Sequence, residues 1–197
     1  RLISECFYDD LLESAEQPLD KTLALIFKRP VTWFTTAHKS DRYESRQDES
    51  FVNDLEAQTI VAILKRINWW AKNDRKRYSV GVLTGYSGQK QALERRLSPE
   101  RRNLDHLHLE CNTVDAFQGR EVDIALYSVT RSNMGGEIGF LKKSERINVA
   151  LSRSKYYLGI VGDHHFCRSI QSEHPLKKVV SYIEAHPEDC YIEEKHL

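Results

Sequence analysis

The order of the apolar runs constrains this chain most. Short β-branched or aromatic runs recur at residues 31–36, 79–84, 107–111, 124–129 and 157–161. Segments with helical spacing lie between them. Asn53, with Glu56 three residues on, reads as the cap of a helix that puts Ile60, Ile63, Leu64, Ile67 and Ala71 on one face. Further helices are expected over 1–14, from about Gln89 to Leu97, and at 143–152, 163–171 and 174–186. Strands joined by crossovers of roughly a dozen or more residues run parallel, with helices on both faces. The polar stretch 37–51 is expected to be a loop, and 187–197 a C-terminal tail of one domain spanning 1–197. Trp69 and Trp70, late in the long helix, are expected to pack rather than stack on bases.

In such a sheet, ligands sit at the carboxyl ends of the strands. Residues 84–89 follow one strand, 113–121 another, and Arg131 a third, so all three converge on one edge. Two polar segments there carry the chemistry: TVDAFQGREVD at 113–123 and RINVALSRSK at 146–155. Arg146 and Arg153, seven residues apart on an expected helix, should point the same way. Their planar guanidinium groups suit phosphate oxygens. Glu121 could accept from a ribose hydroxyl or anchor one of the two arginines, and a solvated ion-pair face is the plain alternative.

What is absent matters as much. The chain holds no G-x-x-x-x-G-K-[ST] loop and no paired acidic motif for Mg²⁺, so alone it should not hydrolyse a nucleotide. Lys and Arg (29) balance Asp and Glu (29); no net field advertises a polyanion, although a local basic groove can sit on a neutral protein. Cys6, Cys111, Cys167 and Cys190 are far apart, and His106, His108, His164 and His165 lack partners at ligand spacing, so no metal site is expected. Reduced thiols fit a cytoplasmic protein, or a nuclear one if eukaryotic. No apolar run is long enough for a transmembrane helix. The start at Arg1, directly before an apolar helix, reads as a piece of a longer polypeptide.

VDAFQGREVD at 114–123 and RINVALSRSK at 146–155 resemble helicase motifs V and VI of superfamily 1B, the group of the nonsense-mediated decay helicase and the eukaryotic replication helicase–nuclease. VGVLTGYSGQKQAL at 80–93, ISECFYDDLL at 3–12 and IGFL at 138–141 are similar to family segments in the same order, so the resemblance covers about residues 1–170. It implies an α/β, RecA-like fold without its own phosphate loop: the second RecA-like domain of an ATP-dependent DNA or RNA helicase or translocase. ATP with Mg²⁺ would bind between this domain and the first, whose residues would hold the metal. Single-stranded nucleic acid, DNA ahead of RNA, would lie across both. Carried over, Arg153 resembles the arginine finger. Gly119, Arg120, Glu121 and Arg146 would lie beside the nucleotide, and Gln118 would couple it to the strand. Thr84, Tyr86, Thr113 and Asp115 would face the nucleic-acid groove or support motif V. Gly85 stands where the family has proline, Ile147 where it has leucine, and Ser152 and Ser154 replace threonine and alanine around Arg153. The alternative is a non-catalytic nucleic-acid-binding or interaction module on the same fold.

Overall fold

The computed structural model describes residues 2–8, 20–117, 119–139, 144–171 and 173–194. Its centre is a six-stranded sheet in which every pairing is parallel. In chain order the strands are β1 (Val31–Thr35), β4 (Tyr78–Thr84), β5 (Leu107–Thr113), β6 (Val122–Ser128), β7 (Ser154–Gly162) and β8 (Cys190–Glu193), and a separate hairpin supplies β2 (Ser45–Gln47) and β3 (Ser50–Val52). Across the sheet the order is β5-β4-β6-β7-β1-β8.

Both faces of the sheet are buried, and side-chain alternation divides the core in two. Val80, Val82, Ile124, Leu126, Val161 and Phe34 point to the layer of α2 (Asp54–Asn73) and α3 (Ser87–Leu97). Trp33, Leu83, Ala125, Tyr127, Leu158 and Ile160 point to the layer of α1 (Leu2–Phe7), α4 (Ser144–Leu151), α5 (His164–Ser169) and α6 (Pro175–Ala185). The expected apolar face of α2 is fully buried at Ile60, Ile63, Leu64, Ile67 and Ala71. Asn53 caps this helix, its side-chain oxygen accepting from the Glu56 N–H at 3.1 Å. At the other end Arg75 turns left-handed (φ 55°), and the Lys76 N–H closes on the Ala71 carbonyl at 2.8 Å.

Three expectations change, and a fourth falls partly outside the described residues. The polar stretch 37–51 is not simply a loop: it folds into β2 and enters β3, with left-handed Asp48 (φ 52°) at the turn. Its β2 residues are exposed, which hides the strand pattern from a reading by hydropathy. Cys190–Glu193, within the expected tail, forms the edge strand beside β1. The first helix is described as Leu2–Phe7, and Leu11 and Leu12 lie outside the described residues. Trp70 packs on the core, but Trp69 is 56% exposed.

Candidate nucleotide and nucleic-acid site

The parallel pairing puts the ends of β4, β5 and β6 on one edge, with Thr84 aligned to both Thr113 and Ser128. The loop after β5 begins at that edge but does not stay on it: it crosses to the amino ends of β6 and β7, so the expected convergence on the carboxyl edge holds for Thr113 and not for residues 119–121. The Val114 N–H donates to the Thr84 carbonyl at 3.0 Å. Phe117, fully buried, lies against Gly81 of β4, where a Cβ would come within 2.9 Å of the ring. A side chain at Gly81 would therefore push this loop off the sheet. The chain then reverses at Gly119 (φ 82°), a left-handed turn that glycine adopts without strain. Beyond it, the Val122 N–H donates to the Arg153 carbonyl at 3.0 Å, binding the loop to the start of β7.

Both arginines reach this loop, by a route the spacing does not give. α4 ends at Leu151, so Arg153 lies in the turn before β7 and not two helical turns along from Arg146. Arg146 meets the beginning of the loop, its Nε 3.0 Å from Asp115 Oδ1. Arg153 meets the end: one guanidinium N–H donates to the Arg120 carbonyl at 3.5 Å, while Nε holds the Val149 carbonyl at 2.8 Å and the third nitrogen holds Ser152 Oγ at 2.8 Å. Three of the five N–H donors of a guanidinium are thus used to orient it. The carboxylate that meets Arg146 is that of Asp115, while Glu121 is exposed. Arg120, exposed, pairs with Glu110 of β5. Gly119 is exposed, with nothing within 4 Å of where a Cβ would sit. Gln118 lies outside the described residues, as do Phe140 and Leu141 of the 138–141 segment.

The residues assigned toward the strand divide by burial. Thr113 is half-buried and Asp115 exposed. Thr84 is fully buried, its hydroxyl 3.0 Å from that of Thr130. Tyr86 is buried too; its hydroxyl donates to the Ile138 carbonyl at 3.0 Å and accepts from Arg131 at 3.3 Å. These two support the loops rather than line an open surface.

Behind the edge lies a buried polar network that joins Arg131 and Glu56 to residues without a sequence signal, Glu44 among them. Arg131 and Glu44 are 2% and 5% exposed and pair at 3.0 Å. The guanidinium lies over the Phe51 ring at 4.1 Å. Gly139 is left-handed (φ 59°), and a Cβ there would overlap the guanidinium. Asp163 caps α5 through the Phe166 N–H, accepts from Ser132 at 2.8 Å and pairs with Arg42 at 3.2 Å. Glu56 does not turn back to its cap. It is fully buried and accepts from the Ser128 hydroxyl at 2.6 Å and the Thr130 N–H at 2.7 Å. Burial pushes its carboxyl up to about 8, against the pull of those two donors. A signal was present: Glu56 is four residues before Ile60 and seven before Ile63, on the apolar face of α2. His164, following β7, is buried with Nδ1 2.6 Å from the Thr35 hydroxyl, and burial lowers its pKa to about 4, keeping it neutral.

Residues 1–165 match the family described as AAA domain. The chain is 34% identical over 167 residues to the Regulator of nonsense transcripts 1 homolog of Drosophila melanogaster, covering 81% of this chain and 14% of that protein. It is 32% identical over 138 residues to the DNA polymerase alpha-associated DNA helicase A of Saccharomyces cerevisiae, covering 69% of this chain and 20% of that one. It is 35% identical over 139 residues to the human Probable helicase senataxin, covering 68% of this chain and 5% of that one. The chain therefore spans a fifth or less of the length of these relatives. With a parallel RecA-like sheet, a 113–121 loop that starts at the carboxyl end of β5 and an Arg153 turn that it meets at the amino ends of β6 and β7, the chain belongs to the AAA-domain family of superfamily 1B helicases.

Proposed function

We propose that this chain is the completing half of an ATP-driven motor on single-stranded nucleic acid. It supplies the arginine finger, Arg153, and part of the strand groove. The phosphate loop and the Mg²⁺ ligands come from a first RecA-like domain outside this chain, since no such loop occurs in its sequence. The carrying observation is that two arginines from one segment bracket the 113–121 loop, at Asp115 and at Arg120. A donor set of arginine nitrogens beside an open glycine turn fits polyphosphate oxygens on one side only.

The chemistry asked of this half is electrostatic. Charge grows on the γ-phosphoryl oxygens during transfer, and an arginine delivered from a second domain stabilises it, worth ~10³–10⁵ in rate. Arg153 is aimed by its bonds to Val149 and Ser152 before any ligand arrives, so little reorganisation is needed. The Arg146–Asp115 pair is half exposed on the Asp side and contributes only about 0.2–1 kcal/mol. A phosphate can take the place of Asp115 at small cost, which would free that carboxylate to move with the loop. Because Val114 is bonded to Thr84, such a movement reaches the end of β4 as well. Closure on ATP and reopening after hydrolysis then change the grip on the strand. DNA is favoured over RNA as that strand. The test is turnover by residues 1–197 alone: negligible ATPase and weak ATP affinity are expected. Robust turnover would overturn the half-site reading.

A further inference from the structure

One face of α2 carries a charge at odds with a chain whose charges balance. Residues 65–77 hold six basic side chains (Lys65, Arg66, Lys72, Arg75, Lys76, Arg77) against one acid, Asp74. Arg66, Trp69 and Lys72 recur at three-residue spacing and all three are exposed, so they share one outward face. Arg95, exposed on the last turn of α3, adds to it from the neighbouring helix. Several cations nearby are neutralised: Lys65 pairs with Glu100 at 2.7 Å, Lys76 with Asp20 at 2.9 Å, and Arg96 with Asp54. Among the described residues Arg66, Lys72 and Arg95 form no ion pair, although Arg95 acts on the Asp54 carboxylate from a longer distance.

Trp69 stands among them, 56% exposed. Its ring meets Trp70 edge-on at 4.6 Å, and Trp70 packs on the core. The indole is thus braced along one edge while it stays open to solvent. Between α2 and α3 runs a groove of about 510 Å³ whose lining includes Ala62, Lys65, Arg95 and Pro99, one turn along α2 from Trp69 at its Lys65 end. This face lies on the other side of the sheet from α4, which carries Arg146 and leads to Arg153: α2 and α3 cover one face and α4 the other.

We propose that this face is a second binding surface for single-stranded nucleic acid, with Arg66, Lys72 and Arg95 on phosphates and Trp69 stacked on a base. The charges meet the backbone, and the indole meets a base free of its own stack. A duplex offers no such base, and an acidic peptide uses the charges but leaves the indole idle. The inference does not rest on the arginine finger.

The experiment measures intrinsic tryptophan fluorescence of the protein with 12-residue oligothymidylate and oligouridylate, alongside anisotropy of the labelled oligonucleotides across a salt series. Quenching is expected in the unaltered protein and in Arg153→Ala, and should be absent in Trp69→Phe, which keeps Trp33 and Trp70. Trp69→Ala should weaken binding about tenfold. Arg66→Gln with Lys72→Gln should lower the slope of log affinity against log salt by about 1.4, two single-strand phosphates. Circular dichroism checks that the variants fold; Arg66, Trp69 and Lys72 are exposed and Arg153 is half-buried. Quenching that persists in Trp69→Phe, or an unchanged salt slope in the double variant, would overturn the proposal. So would an oligoglutamate of equal length that quenches Trp69 as strongly as oligothymidylate.

Discussion

Removal of the Glu44 carboxylate should be among the most damaging single changes near the site edge, although Glu44 belongs to a polar stretch. Glu44 and Arg131 are 5% and 2% exposed and pair at 3.0 Å. The same carboxylate accepts from the Ser132 N–H at 2.5 Å and from Asn133 Nδ2 at 2.9 Å. Glu44→Ala would leave a buried guanidinium that, among the described residues, keeps Tyr86 and the Phe51 ring but no carboxylate, and an unsatisfied N–H at Ser132. Breaking one side of a buried pair costs about 3–5 kcal/mol. At about 2–4 °C per kcal/mol for a chain of this size, the midpoint of thermal unfolding should fall by roughly 6–20 °C. Urea unfolding of Glu44→Ala, Arg131→Met and the double variant gives the assay. The double variant should recover at least about 1 kcal/mol over the sum of the singles, because neither charge is then stranded. A cost below about 1 kcal/mol for Glu44→Ala, or strict additivity, would show that the pair does not hold the hairpin to the site edge.

Three further outcomes are expected. The Glu56 carboxyl is raised from 4.5 to about 8 by burial, so its neutral form favours the fold; that stability is fully present below 4.5 and is lost as pH rises through about 8. Glu56→Gln should therefore flatten the fall in urea midpoint across that window, and an unchanged pH slope would assign the titration elsewhere. Gly119→Ala meets no neighbour but must hold φ near 82°, costing about 1–2 kcal/mol in calorimetry; a neutral result would mean that the turn relaxes. Ile63→Ala, in the core under α2, should cost about 2–5 kcal/mol in chemical denaturation, and a loss under 1 kcal/mol would mean that the cavity collapses.

The elements read best from sequence are those whose pattern is set by the core. The five strand runs and the face of α2 are apolar because both sides of the sheet are covered, and that alone fixes which edge the loops share. Elements set by other forces were harder to see. The β2–β3 hairpin is held by Glu44 on the 131–133 loop and by Ser50 against Gly88, not by alternating burial. β8 is a four-residue edge strand, too short to carry a pattern. The expected helix at 143–152 matches α4, but the seven-residue spacing of Arg146 and Arg153 does not show that Arg153 lies beyond its end, because the intervening Ser152 carries no stop signal. The cap rule and the apolar face both claim position 56, and burial decides for the apolar face. Trp69 was expected to pack, yet Trp70 takes the core-facing direction and leaves its neighbour outside.

The central claim is that Arg153 completes a nucleotide site held mainly by another domain. Strand-stimulated ATPase of a polypeptide carrying both RecA-like domains, with Arg153 replaced by alanine and by lysine, tests it most directly. Turnover is expected to fall by roughly 10³-fold or more in Arg153→Ala, with folding intact and only partial recovery in Arg153→Lys, whose single ammonium lacks the planar fork. Full-rate hydrolysis by Arg153→Ala would contradict the claim.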